Sequence, residues 1–526
     1  MQVLLDALGY GDWILHALLW LPLVGLGLVL WGPEERAKGL AFAWSAGVFV
    51  LSLGLWWAFE PGVAGFQLAS SAPWITGWGV SYALGVDGIS LFMVLLTTFT
   101  TPLAILGSFS YIRKKERGFY ALMLLLETGV LGVFLSLDLF LFYVFFELTL
   151  VPMYFIVGVW GGERRIYAAV KFFLYTALGS LLMLVAILYL YFQGRSQLGA
   201  GTFAYMDLLQ VTLTLKEQIW LFAAFALAFS IKVPLFPVHT WLPDAHVEAP
   251  TAGSVVLAAI LLKMGTYGFI RFLLPFFPGA VQHETIVMVM MGLGVTGILY
   301  AAWVAAVQPD AKKLVAYTSV SHMGFVVIGV FALTVNGLQG GMMVMISHGV
   351  STGALFLLLG MLYERRHTRL IEDFGGLAAV APWLTTAFVV TALTSIGLPG
   401  TSGFVGEFLA LLGTFETHPW MAGIASLGVI FAAYYMLPMV QRMFFNGLVR
   451  KENRGVPDLS RRELAIMVPL VALMIWIGVQ PAPFLRRMEP SIEAVLERVE
   501  SGRSAQVRLD ERNPAPELAA QPAAGL

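Results

Sequence analysis

Four ionisable side chains lie inside stretches apolar and long enough to cross a bilayer: Glu147, Lys232, Lys263 and Glu407. A charge at the centre of a bilayer costs at least ~2.5–3.5 kcal/mol on insertion scales, so such residues persist where they pair or do work. A lone buried lysine loses its proton by desolvation, and a neighbouring carboxylate restores its charge. Glu147 and Lys232, taken as a pair, would therefore set each other's protonation. Lys263 lies about eleven residues into its span, ~16 Å deep at 1.5 Å per residue, too far in to snorkel. Arg271, near the end of the same span, is expected to reach the interface. His322 and His348 fall in two further apolar stretches, and imidazole titrates in the range that suits proton relay. Titratable groups strung across a membrane in this way point to ion movement. His239, Asp244 and His246 surround a WLPDA turn, and their spacing matches no zinc motif.

The elements that must hold these residues are helices. The chain has 526 residues, 59% hydrophobic and only 12% charged, with a net charge of −1. Soluble domains carry about 25% charged residues. The composition is that of an all-α polytopic membrane protein, and a near-neutral chain suggests no nucleic-acid partner. The absence of cysteine excludes disulfides, cysteine-held iron–sulfur clusters and thiol catalysis. No dinucleotide-binding glycine motif opens a helix after a strand. Counting windows of ~20 apolar residues gives about fourteen spans.

Lys and Arg fall on alternate connections: Arg36 and Lys38, Arg113 to Arg117, Arg164 and Arg165, Lys312 and Lys313, Arg365 to Arg369, and Arg450 to Arg462. By the positive-inside rule this side is cytoplasmic and both termini are periplasmic. Residues 484–500 are expected to form a short surface helix, and residues 501–526, rich in Ala, Pro, Gln and charge, to be disordered.

Two pairs of segments look alike. Gly179–Tyr189 resembles Gly353–Tyr363, and Ser230–Pro234 resembles Ser395–Pro399. Each pair is separated by an odd number of spans, so the copies are inverted relative to each other. Pro234, Pro237 and Pro243 interrupt the seventh span, 217–243. Gly397, Pro399, Gly400 and Gly403 interrupt the twelfth, 382–413. Inverted repeats with broken helices are a transporter signature, because unwound backbone at membrane depth needs a protein or water-filled lining.

Three runs carry a family resemblance: SIKVPLFPVHTWLPDAHVEAPTAGSVVLAAILLKMGTYGFIRF (230–272), FFELTLVPMY (145–154) and LPGTSGFVGEF (398–408). They resemble the antiporter-like subunits of proton-pumping NADH:quinone oxidoreductase, respiratory complex I, over roughly residues 80–450. The resemblance implies N-terminal helices over 1–118, a first five-helix repeat over 119–274 and an inverted second repeat over 285–446. A last helix over 447–480 and a tail over 481–526 complete the chain. It implies a proton path through Glu147, Lys232, Lys263 and Glu407, with His322 and His348 as relays. In the simplest scheme Glu147 moves away from Lys232, whose proton passes to Lys263 and then past His322 and His348 to Glu407.

Glutamate at 407 resembles the M-type members; L-type and N-type members usually carry lysine there. The implied partners are the other membrane subunits, especially the flanking L-type and N-type ones, and the lipid bilayer of a bacterial inner membrane. No cofactor is expected in this chain, with redox chemistry left to partner subunits. Two alternatives share the core features: a subunit of a related multisubunit cation/proton antiporter, and a stand-alone secondary transporter.

Overall fold

The computed structural model describes residues 2–512. Twelve of its helices are long and apolar enough to cross a membrane. They are α1 (Tyr10–Trp31), α2 (Glu34–Ala58), α3 (Ser90–Gly107), α4 (Glu116–Leu135), α5 (Leu139–Trp160), α6 (Arg165–Leu198), α9 (Thr251–Phe276), α10 (Glu284–Ala306), α11 (Ala311–Phe331), α12 (Val335–Arg366), α15 (Pro419–Phe445) and α16 (Arg461–Val479). Two interrupted segments stand among them: α7 (Leu215–Lys232) followed by α8 (Trp241–Glu248), and α13 (Pro382–Ser395) followed by α14 (Ser402–Thr417). Twelve continuous helices and two broken ones are compatible with the expected fourteen spans.

Both breaks fall at the Pro/Gly clusters, and the freed backbone groups find partners nearby. After Lys232 the chain unwinds, Leu235 N–H donates to Ser230 O at 2.8 Å, and the Trp241 indole donates to Ile231 O at 2.8 Å. At the second break Leu398 N–H reaches Leu393 O at 3.0 Å and Thr401 Oγ1 donates to Leu398 O at 2.7 Å. Without water to hydrogen-bond them, unwound peptide groups need such partners.

Burial is uneven. The most apolar stretches of α9 and α12 are 100% buried and that of α11 is 94% buried, against 28% for α2 and 39% for α6. The three most enclosed helices therefore carry Lys263, His348 and His322. Close packing lets α12 meet α14: a Cβ on Gly340 would clash with the backbone of Ala410. Small residues at such crossings let backbones approach where packing, rather than water exclusion, drives helix association. Helix α9 also carries two π-helical turns, Leu257–Leu261 and Phe269–Leu273, which straddle Lys263.

Three features depart from the expectations. An antiparallel hairpin, β1 (Gln67–Ile75) and β2 (Val80–Val86), joins α2 to α3 in register Ile75↔Val80 and Ala72↔Tyr82. β1 is exposed along most of its length and contains Pro73, so period-two alternation is weak. Asp138 caps α5 through the amides of Phe140 and Leu141 and also accepts from Ser81 N–H at 2.9 Å, tying β2 to the helix bundle.

The second departure is the C-terminal helix. It is not a short one over 484–500: α17 runs from Ala482 to Arg512, and only 513–526 of the tail expected to be disordered lie outside the described residues. Phe484, Met488, Ile492, Val495 and Val499 recur at helical spacing and are all buried, so one apolar face is satisfied along the molecule. Ser491 accepts from Gly88 N–H at 3.0 Å, Arg498 donates to Leu209 O, and Val499 O accepts from Gln282. The helix thus crosses three connections that lie on one face.

Third, Arg271 does not snorkel. It is 3% exposed and donates to Asp87 at 2.5 Å, with Nε on the Tyr267 hydroxyl at 3.2 Å and Phe66 4.8 Å away across its ring. Asp87 in turn accepts the amides of Ile89 and Ser90 at the start of α3. A carboxylate within reach inside the protein outweighs a longer extension to the interface.

This pair yields a stability prediction. Asp87→Ala leaves an uncompensated buried guanidinium and should cost about 3–5 kcal/mol. The double variant Asp87→Leu/Arg271→Met should cost clearly less. Thermal unfolding of the detergent-solubilised protein measures both, and a double variant less stable than Asp87→Ala would show that the two residues are not coupled.

Candidate functional site

The ionisable residues singled out in the sequence lie along the middle of the bundle, and the structure joins them unequally. Glu147, on α5, is half-buried with Oε1 enclosed and without a hydrogen-bond partner. Lys232 ends α7 at 1% exposure, and its Nζ likewise has no hydrogen-bond partner. The expected direct ion pair is not formed. The ammonium instead faces two aromatic rings, Phe146 at 5.0 Å and Phe172 at 5.6 Å. Ring quadrupoles attract a desolvated cation by up to ~2 kcal/mol, enough to hold the side chain but not to replace a carboxylate. Phe146 is the residue before Glu147, so one helix presents both the carboxylate and the alternative seat for the lysine. A Cβ on Gly265 would lie 3.0 Å from Lys232 Cβ, which places the base of this lysine against the helix that carries Lys263.

Among the described residues Lys263 has no carboxylate partner. Its Nζ donates to Ala258 O at 2.6 Å, inside the first π-helical turn, and lies 2.6 Å from His348 Nδ1. π-Turns often mark functional sites; here a peptide carbonyl is aimed at an ammonium. An ammonium has donors only, so the facing Nδ1 accepts while Lys263 is charged. His348 Nε2 is enclosed with no partner.

The second cluster mirrors this arrangement. His322 Nδ1 lies 2.9 Å from Glu407 Oε1, both side chains 7% exposed, and His322 Nε2 lies 3.3 Å from Ser395 Oγ. The two imidazoles are 5.8 Å apart, ring centre to ring centre. Between them lies a cavity of about 10 Å³, bounded by Ser347, Ser351 and Thr394 as well as His322, His348 and Glu407. That is close to the smallest space that holds one water. Glu407 is admitted by the second break. Gly397 has φ +74°, a conformation glycine adopts without cost, and a Cβ there would lie 2.8 Å from Glu407 Oε2.

The order along the row is therefore Lys263, His348, His322, Glu407, with His348 next to the lysine. Sequence reasoning did not single out the Phe146–Phe172 cradle, Ser395, or the Ser347–Ser402 hydrogen bond of 2.8 Å. Hydroxyls in apolar helices are a weak signal, and an aromatic seat for a lysine has no spacing rule. His239, Asp244 and His246 do not converge: His239 stacks on Phe236, His246 stacks on Phe356 with centroids 4.5 Å apart, and Asp244 pairs with Lys171 at 2.8 Å.

Known proteins are similar to this chain in sequence and fold. Residues 136–433 match the family model "NADH:quinone oxidoreductase/Mrp antiporter, TM", and residues 42–136 match "NADH-ubiquinone oxidoreductase chain 4, amino terminus". NADH-quinone oxidoreductase subunit M of Rhodobacter capsulatus is 46% identical over 88% of this chain and 91% of its own length. NADH-ubiquinone oxidoreductase chain 4 of Marchantia polymorpha is 43% identical over 92% and 97%. A chain in the structure of respiratory complex I from Thermus thermophilus with bound NADH superimposes with a TM-score of 0.85 at 38% identity, covering 92% of this chain and 99% of that one.

The glycine beside Glu407 gives the second prediction. Gly397→Ala should destabilise the protein by more than ~1 kcal/mol, because its φ is strained for alanine. Part of the cost is the clash with the carboxylate, so adding Glu407→Ala should recover some of it. A double-mutant cycle on thermal unfolding reads the coupling; strict additivity would place the clash elsewhere.

Proposed function

The chain belongs to the antiporter-like membrane subunits of NADH:quinone oxidoreductase, respiratory complex I, in their M-type branch, and on that premise we propose that Glu147, Lys232, Lys263, His348, His322 and Glu407 form its proton path. The chain is a multi-span membrane subunit of a proton-pumping enzyme. Identity of 46% to a subunit M over most of the chain favours this over a separate cation/proton antiporter or a stand-alone transporter.

One observation carries the assignment. Lys263 is hydrogen-bonded to His348, Glu407 is hydrogen-bonded to His322, and the two pairs meet at a cavity the size of a water. The proton transfers balance. Lys263 gives a proton to His348 Nδ1, and the imidazolium releases the proton on Nε2 into the cavity. His322 takes a proton at Nε2, with Ser395 beside it, and gives the one on Nδ1 to Glu407 Oε1. One charge crosses, and both imidazoles end in the opposite tautomer, so a ring flip or a returning proton resets them. Upstream, Lys232 on its aromatic seat is poised between two partners. Moving it to Glu147 favours the ammonium; holding it against the rings favours release toward Lys263.

The same reading gives the wider context. The repeats are 119–274 and its inverted copy 285–446, flanked by 1–118, 447–480 and the 481–526 tail. The subunit lies in a bacterial inner membrane between L-type and N-type neighbours, with both termini periplasmic. Contacts among basic connections support that orientation: Arg365 pairs with Glu463 at 2.7 Å and Arg369 with Asp310 at 3.1 Å, so several of these loops share one face. The chain itself binds no redox cofactor; electron transfer from NADH to quinone belongs to partner subunits.

Two substitutions test the path. Lys263→Arg keeps the charge, but a guanidinium does not give up its proton in the working range. NADH-driven proton uptake in membrane vesicles should fall nearly as far with Lys263→Arg as with Lys263→Ala, with assembly intact. Near-normal uptake would reduce Lys263 to a structural charge. Glu407→Gln preserves shape and abolishes ionisation, and it should block uptake as fully as Glu407→Ala. Unimpaired pumping by Glu407→Gln would remove Glu407 from the path.

A further inference from the structure

On the flank of the bundle α2, α3, α12, α16 and α17 leave an apolar groove of about 530 Å³. Its walls include Phe49, Phe92, Leu96, Ile346 and Leu473. One end is an aromatic cluster: Trp56, Trp476 and Phe484, with ring centres 5.1–5.7 Å apart. Tryptophans gather at the level of lipid headgroups. At this end the guanidinium of Arg487 lies 3.9 Å above the Trp56 ring. It donates to Pro483 O at 2.9 Å and to Trp56 O at 3.2 Å, while its Nε is enclosed without a partner. Among the described residues no carboxylate lies within ion-pair distance of it.

We propose that this groove is a binding site for a phospholipid with an anionic headgroup, its phosphate on Arg487 and one acyl chain along the groove toward Ile346. Three arguments select this occupant. The groove lies among membrane-length helices, where lipid is the surrounding medium. The headgroup end carries a cation that the protein does not neutralise, and the rest is apolar. The tryptophans at the cationic end mark the headgroup level, so the order of polar and apolar ends matches that of a phospholipid.

The site has a consequence for the interior. Ile346 is on the same helix as His348, and a Cβ on Gly349 would lie 2.7 Å from Leu96 Cδ2, so the groove wall is one side chain thick behind that helix. A seated acyl chain backs the segment that holds His348 and keeps water from its flank. The lipid site itself does not depend on the proton path.

The test uses the intact complex in phosphatidylcholine liposomes containing a trace of phosphatidylglycerol with a photoactivatable acyl chain, or an equal trace of the matching phosphatidylcholine probe. Adducts are mapped by mass spectrometry. The phosphatidylglycerol probe should label peptides containing Phe92–Phe99 and Leu473–Trp476 in preference to the phosphatidylcholine probe. Arg487→Gln should reduce that labelling about fivefold, the effect of one basic residue near an anionic lipid surface. Arg487→Lys should retain most of it, and Ala472→Trp, which fills the groove, should abolish it. Equal labelling by both probes, unchanged by Arg487→Gln, would overturn the proposal in favour of unselective lipid. An unlabelled groove beside a labelled α6 surface would overturn it in favour of a partner subunit covering this face.

Discussion

Every polar group at membrane depth must find its partner within the protein, because no water is there to supply one. That constraint shapes the centre of this molecule. Lys263 meets it with a peptide carbonyl and an imidazole instead of a carboxylate, the carbonyl coming from a π-helical turn. Lys232 meets it only with aromatic faces. Glu407 meets it with His322, in space left open by a glycine. None of these solutions is as strong as a buried ion pair with all its hydrogen bonds made, and a group held weakly in either protonation state can exchange a proton. Arg271 and Asp87 show the contrast: a fully engaged pair that the bundle uses as a fastener.

The broken helices follow from the same constraint. A lysine at the end of α7 and a glutamate in the first turns of α14 sit beside unwound backbone, whose carbonyls and amides are held by Trp241 and by Thr401. Fixing the breaks in this way lets the ionisable side chains face the interior without carrying a loose loop with them. The row lacks direct contacts between Glu147 and Lys232, between Lys232 and Lys263 and between the two imidazoles, and at the first of these gaps the lysine rests on aromatic rings beside a carboxylate. Exchanging those rings for a carboxylate would change the lysine's electrostatic surroundings, the physical basis of the coupling proposed above.

Around this centre the less buried elements act as bracing. Helix α17 and Arg271 both engage the residues between β2 and α3, and β2 itself is tied to Asp138 at the start of α5, so distant parts of the chain meet at one seam. Helix α17 buries its apolar face across three connections and thereby limits how far the helices beneath it can separate. The groove between α2, α3 and α16 is the point at which that bracing stops and the flank of α12 lies close to the surface.

Composition alone establishes a polytopic helical membrane protein, because 59% hydrophobic and 12% charged residues admit little else. The two helix breaks were legible because proline and glycine act locally, and the ionisable residues were legible because their burial cost makes them conspicuous in apolar sequence. What stayed hidden depends on distance in space. Nothing in the spacing of Lys263, His322, His348 and Glu407 tells which histidine meets which partner; the crossing of α9, α11, α12 and α14 decides it. The sequence suggested that Lys232 meets Glu147 and that Arg271 reaches the interface. Packing seats the first on Phe146 and Phe172 and joins the second to Asp87, far away in the chain. Local chemistry determines where a helix must break and which residues are costly to bury, whereas tertiary packing determines which groups lie close enough to offset that cost.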